Sequence, residues 1–222
     1  MENLRVTVDI VIFTARDKEL QVLLVRRGVP PFQGLHAIPG GFIRSEESPE
    51  GAALRELYEE AGVRNVFLEQ LYTFGDPGRD PRGRVITIAY YALAAADQIT
   101  LAAGADAAEA GWFPLRALPA LAFDHQKILD YAVGRLRNKL EYTTVGFELL
   151  PQKFTLVELQ AVYEAILGRR LDKRNFRRKI ALLRILKPLR EWRKTGRKPA
   201  QLYRFAASQF EKLKDKGILF PF

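Results

Sequence analysis

The sequence predicts an α+β chain in two modules, a sheet accompanied by one long helix and then a smaller helical module closed by a strand pair. Three observations predict it. β-branched and apolar runs recur through the first half around a single well-bounded long helix, so strands and helix do not alternate regularly. From residue 123 the apolar spacing becomes helical. The charge balance also reverses. Residues 151–222 hold 19 Lys and Arg against 6 Asp and Glu, a net +13, whereas residues 1–150 hold 16 against 20, a net −4. The expected division is 1–122 and 123–222, with helix 123–140 as the connection.

Composition sets the outer limits. The 222 residues are 48% hydrophobic and 27% charged, a folded-domain balance. The chain has no cysteine, which excludes disulfides and thiolate metal sites. The N-terminus MENLRVTVDIVIF lacks the tripartite pattern of a secretory leader, and Asp9 interrupts its apolar run. No run reaches the length of a membrane span, so the expected compartment is the cytoplasm, with no membrane partner.

In order, LRVTVDIVIFTA (4–15) and LQVLLVRRG (20–28) read as strands joined by the turn RDKE. Further strands are expected at 66–74, 84–94 and 110–115. Between them stands the helix. Ser48 is a suitable N-cap, Pro49 fits the first turn, and Gly62 can take the left-handed closing conformation. At about 100° per residue, with Glu56 at zero, Glu60 falls near 40° and Glu59 near 300°. Leu57, Ala61, Leu54 and Tyr58 cover roughly 100–200°, which predicts a buried apolar face opposite a carboxylate cluster. No lysine lies between Glu46 and Glu69 to relieve the repulsion. Two readings remain at this point: a solvated acidic face, or a face that a hard divalent cation neutralises through oxygen ligands.

From Gly41 the chain runs five residues to Glu47, seven more to Arg55, then Arg55-Glu56-Leu57-Tyr58-Glu59-Glu60-Ala61-Gly62-Val63. All nine specified positions match the Nudix box, so this segment resembles the signature of the Nudix hydrolases. The resemblance implies an α/β/α sandwich and hydrolysis of a nucleoside diphosphate linked to another group. It assigns Mg²⁺ or Mn²⁺ to Glu56, Glu59 and Glu60, support of the metal shell to Glu47, and orientation of the carboxylates to Arg55. Gly40 and Gly41 would let backbone approach metal and phosphates. It leaves the general base outside the box.

FGDPGRDPRGR (74–84) reads either as a polar hairpin loop or as a source of phosphate and ribose contacts through Arg79, Arg82 and Arg84. The run resembles the loop of Nudix proteins that recognise ADP-ribose. His36 stands where that group usually carries Trp, and could stack or hydrogen-bond on the nucleotide. His125 reads first as a packing residue at a helix start and second as a catalytic base.

The back half begins with helix 123–140, with Ile128, Leu129, Ala132, Val133 and Leu136 on one side. VGFELLP follows as a short strand. A helix over 154–169 is capped by Thr155 and closed by Gly168, and another over 171–185 is capped by Asp172. A strand, the turn TGRKP and the strand AQLYRFAA complete the order of a winged helix-turn-helix. Phe176, Ile180 and Leu183 face the core of the recognition helix. Lys173, Arg174, Asn175, Arg177 and Arg178 load its start with donors suited to a major groove. Arg193, Lys194, Arg197 and Lys198 fall on the wing, in reach of phosphate.

FTLVELQAVYEAILGRRLDKRNFRRKI followed by GRKPAQLYRF resembles the C-terminal half of the NrtR-type Nudix-related transcriptional regulators. That resemblance implies a homodimer in which a Nudix domain senses ADP-ribose or a related nucleotide and the winged helix binds double-stranded operator DNA. Many members carry eroded Nudix boxes, whereas this box is complete, which implies both sensing and metal-dependent hydrolysis. The alternatives are an ADP-ribose pyrophosphatase whose basic module serves dimerisation or tethering, and an RNA-directed Nudix enzyme.

Overall fold

The structure is a computed structural model that describes residues 4–62, 66–97, 107–195 and 198–214. Its central sheet is built from β1 (Arg5–Arg16), β2 (Glu19–Arg27), β3 (His36–Ala37), β4 (Gly40–Phe42), β5 (Phe67–Phe74), β6 (Val85–Leu93) and β7 (Ala107–Pro114). The order is β3-β2-β1-β6-β5, with β4 added to β1 and β7 to β2. β1 and β6 run parallel, and the other pairs are antiparallel. The β1–β2 hairpin closes on Asp17 and Lys18, both left-handed at φ 54° and 65°, as a tight two-residue turn requires.

β1 is apolar on both faces because both are covered. Val8, Ile10 and Ile12 join Ala52, Ala53 and Leu57 of helix α1 (Pro49–Ala61) in one core. Val11 and Phe13 join Ile128, Leu129 and Ala132 of helix α2 (His125–Leu140) in the other. The period of two along the strand thus builds the expected α/β/α sandwich.

The ends of α1 match the sequence reading. Ser48 Oγ accepts from the Gly51 N–H at 3.0 Å, and Gly62 closes the helix at φ 65°. Its phase does not match. Leu54 and Tyr58 are each 48% exposed, and the buried side is Ala52, Ala53, Leu57 and Glu56. The small alanines let the helix lie close to the sheet, which rotates the packed face about 100° toward the carboxylates. Glu56 therefore stands within the buried face, between Ala52 and Ala53, rather than opposite it.

Behind α2 come α3 (Leu156–Leu167), α4 (Lys173–Leu183), β8 (Leu186–Thr195), β9 (Lys198–Phe205) and α5 (Ala207–Lys214). Thr155 and Glu158 form a reciprocal capping box on α3, and Asp172 Oδ1 accepts from the Asn175 N–H at 2.7 Å to start α4. The expected strand at VGFELLP is instead a 3-10 turn over Val145–Leu149. It buries Val145, Phe147 and Leu149 under α3, and Gly146 packs so tightly that a Cβ there would lie 2.9 Å from Leu140. Phe154 takes the strand role, exchanging backbone hydrogen bonds with Tyr203 at 3.1 and 2.8 Å. One apolar cluster runs from Val11 in the sheet through Leu136 of α2 to Phe176 and Ile180 of α4.

Candidate nucleotide, metal and DNA sites

α1 delivers the acidic cluster, and Arg55 organises it. Its Nε and Nη2 donate to the two oxygens of Glu47 at 2.5 and 3.0 Å. Nη1 donates to Glu56 at 2.7 Å and Glu59 at 3.0 Å. The Arg55 contact holds the Glu47 carboxyl down at about 2. Glu60 points the other way, accepting from the Gly40 N–H at 3.2 Å. Burial, and next the charge of Glu56, push it up to about 8. Burial also raises Glu56, against the pull of Arg55.

The two glycines earn their positions by contact. A Cβ on Gly41 would stand 2.1 Å from Glu56 Oε1, and one on Gly40 would stand 2.3 Å from the Val8 carbonyl. The donor set is all carboxylate oxygen, which suits a hard divalent cation. Among the described residues no three carboxylates converge in ligating geometry, because Arg55 holds Glu56 and Glu59 while Glu60 turns to Gly40.

A cleft of about 280 Å³ opens beside Gly40, Gly41 and Glu60. Arg79 reaches it almost fully buried. Nε and Nη2 donate to the two oxygens of Asp124 at 3.0 and 2.7 Å, and Nη2 also meets Asp9 at 3.3 Å. Arg82 forks onto Asp80, with its guanidinium 5.2 Å from the Phe42 ring and 5.3 Å from the Phe123 ring. The Arg27 guanidinium lies 4.8 Å from the centre of the same Phe123 ring. The buried Thr7 hydroxyl at this cleft has no protein partner among the described residues.

Two expected nucleotide contacts lie elsewhere. Arg84 donates to the Gly75 carbonyl and braces its own loop, and the His36 ring packs edge-on against Phe113 at 4.9 Å, away from the cleft. His125 does line the cleft, but it is a buried packing residue. Its Nδ1 accepts from the Ile38 N–H at 3.1 Å, and burial pushes its pKa down. Sequence reasoning missed Arg27, Asp80, Phe123 and Asp124. Asp80 adjoins Arg79 in the loop that was singled out, whereas the others come together only through long-range folding.

At the other end, Lys173, Arg174, Arg177 and Arg178 are exposed on α4 while Phe176 and Ile180 are buried. Asn175 Oδ1 accepts from Arg178 at 3.1 Å. Lys194 and Lys198 are exposed on the wing strands, and Arg197 lies outside the described residues. Arg193 corrects the sequence reading. Its guanidinium donates to Glu158 at 2.6 Å and to the Lys153 carbonyl at 3.0 Å, so it ties the wing to α3 instead of offering itself to phosphate.

The NUDIX domain model matches residues 3–132, and the NrtR DNA-binding winged helix domain matches residues 146–205. The chain belongs to the NrtR family. It is 38% identical over 213 residues to the ADPR responsive transcriptional repressor NtrR of Acinetobacter baylyi, covering 92% of this chain and 83% of the relative. Its fold matches Shewanella oneidensis NrtR, crystallised with a 27mer DNA, at a TM-score of 0.80 and 37% identity, over 93% of this chain and 95% of the other. The front half alone is 43% identical over 116 residues to an ADP-ribose pyrophosphatase of Methanocaldococcus jannaschii, covering 52% of this chain and 68% of the relative. The NrtR architecture thus joins the cleft beside Glu60 to the basic face of α4 in one polypeptide.

Proposed function

We propose that this protein is a homodimeric transcriptional repressor that binds operator duplex through α4 and the wing and responds to ADP-ribose-type nucleotides in the cleft beside Glu60. On this reading residues 1–122 sense and residues 123–222 bind DNA, with α2 as the connection. The observation that carries it is the sorting of α4, whose Phe176 and Ile180 are buried while Lys173, Arg174, Arg177 and Arg178 stand together in solvent. A donor-rich helix start of this kind suits base edges, and Lys194, Arg197 and Lys198 supply phosphate contacts. In the cleft, Arg79 and Arg82 bind the diphosphate, and the Phe42 and Phe123 rings give flat apolar surface for the rest of the nucleotide.

Hydrolysis accompanies sensing on a second observation, the completeness of the Nudix box from Gly41 to Val63. Glu56, Glu59 and Glu60 would hold Mg²⁺ or Mn²⁺, which supplies Lewis acidity toward the diphosphate. Glu47 fixes Arg55, and Arg55 orients Glu56 and Glu59. Gly40 and Gly41 keep side chains out of the space between cluster and cleft. Two assays test the reading. Fluorescence anisotropy on duplex from upstream of the protein's own gene should report salt-dependent binding that ADP-ribose weakens. Incubation of ADP-ribose with Mg²⁺ or Mn²⁺ should yield AMP and ribose 5-phosphate. Binding without an ADP-ribose effect removes the sensor role, and absence of turnover with either metal removes the hydrolase role.

A further inference from the structure

Asp124 occupies the N-cap position of α2, yet its side chain makes no capping hydrogen bond. Its carboxylate is instead held through two hydrogen bonds by Arg79, which lines the cleft. Its backbone, at φ −96° and ψ 23°, also departs from the extended form of the working caps Thr155 (ψ 160°) and Asp172 (ψ 120°). An aspartate at this position is among the best helix caps available. Asp124 therefore has two competing partners, Arg79 and the open N–H groups of its own helix.

The surroundings make that choice depend on ligand. Arg27, Arg79 and Arg82 line the cleft, and Asp9, Asp80 and Asp124 already balance Arg79 and Arg82. A diphosphate adds negative charge and draws an arginine from a carboxylate. The Asp124 side chain is 17% exposed, against 10% for Asp9 and 2% for Asp80, so it can be released at the lowest desolvation cost. The same turn is wired to the cleft on every side. Phe123 is left-handed at φ 53° under the Arg82 and Arg27 guanidinium groups, His125 holds Ile38, and Lys127 pairs with Asp76 of the Arg79 loop. About 24 Å of helix carries any shift onward, at 1.5 Å per residue. In its last turns Arg137 Nε donates to the Ile166 carbonyl at 2.9 Å, beside the α3–α4 turn.

We infer that Asp124 is a two-position latch: Arg79 exchanges it for the diphosphate of the bound nucleotide, Asp124 then caps α2, and the rearranged helix start shifts α4 through Arg137. This deepens the sensor role proposed above and rests on it.

Asp124→Asn discriminates, because asparagine caps as well as aspartate but cannot hold Arg79 by charge. Operator affinity should fall about tenfold without ligand, and because Arg79 no longer has to give up a charged partner, ADP-ribose should bind about tenfold tighter. Anisotropy reads the first and titration calorimetry the second. Asp124→Ala, which can neither pair nor cap, should not tighten ADP-ribose to the same degree. Arg137→Met should keep both single affinities while shrinking the effect of each ligand on the other. In the wild type, ADP-ribose should slow amide exchange at Gln126 and Lys127, a readout that stands even if a variant fails to fold. A wild type that responds to ADP-ribose while Asp124→Asn leaves operator affinity unchanged, or while exchange at those amides does not slow, overturns the latch alone. A wild type with no ADP-ribose effect on operator binding overturns the sensor role and the latch together.

Discussion

Nε of Arg55 sits 2.5 Å from Oε1 of Glu47, eight positions earlier and on the other side of the Ser48 cap. The pair closes the loop onto its helix, and the same guanidinium neutralises Glu56 and Glu59. Arg55→Gln leaves three carboxylates facing one another. Because Glu59 is half exposed the loss is smaller than for a buried pair, and it should show as a lower urea midpoint without metal. Saturating Mn²⁺ should restore part of it. An unchanged midpoint would mean that the cluster is held by the backbone alone.

Glu60 tests the metal assignment from the opposite direction. Burial and the charge of Glu56 hold its carboxyl up at about 8, so near pH 7 it is mostly neutral in metal-free protein. Glu60→Gln keeps the acceptor for the Gly40 N–H and should leave the metal-free thermal midpoint at pH 7 nearly unchanged. Wild-type stability should rise with Mn²⁺, by about 2.7 kcal/mol at a hundredfold excess over Kd, and this rise should largely vanish in the variant. Equal Mn²⁺ responses would remove Glu60 from the ligand set.

What could be read from the chain alone was local. Ser48, Gly62, Thr155, Gly168 and Asp172 act on their own neighbours, and each stands at the helix end expected of it. The phase of α1 was not legible, because Leu54 and Tyr58 outweigh Ala52 and Ala53 in any count of apolarity, while packing distance favoured the alanines. Arg79 was named as a loop arginine, yet its partners Asp124 and Asp9 lie 45 and 70 positions away. Arg193 looked like a wing donor because nothing nearby in sequence shows that Glu158 is its partner.

His125 predicts a limit on acid stability. Burial pushes its pKa down, with Arg79 and Arg27 acting in the same direction and Asp9 and Asp124 opposing. The unfolded chain takes up this proton near pH 6.5, whereas the folded chain stays neutral. The stability from the neutral imidazole is therefore present above about pH 6.5 and is lost as pH falls toward the folded value, with a slope of up to about 1.4 kcal/mol per pH unit. His125→Gln keeps an acceptor for the Ile38 N–H and cannot titrate. Denaturation at pH 7.5 and 5.5 should show a smaller loss in the variant than in the wild type. Equal losses would place the acid sensitivity in other groups.

Arg178 and Lys198 should separate reading from holding. Asn175 fixes the Arg178 fork on the exposed face of α4, a preorganised geometry for the paired acceptors of a guanine edge. Lys198 opens β9 at the wing tip, where a flexible ammonium meets phosphate of any sequence. Arg178→Ala should cost about 1–3 kcal/mol on the specific duplex and much less on a scrambled one. Lys198→Ala should weaken both alike and flatten the slope of log affinity against log salt by about one unit. Asn175→Ala leaves the Arg178 charge in place but unfastens its fork, so it should erode specificity with little change in the salt slope. Anisotropy titrations of both duplexes at several salt concentrations give all these quantities. If Arg178→Ala weakens the two duplexes equally, Arg178 touches backbone only, and the base-reading role passes to Lys173, Arg174 or Arg177 nearer the start of the helix.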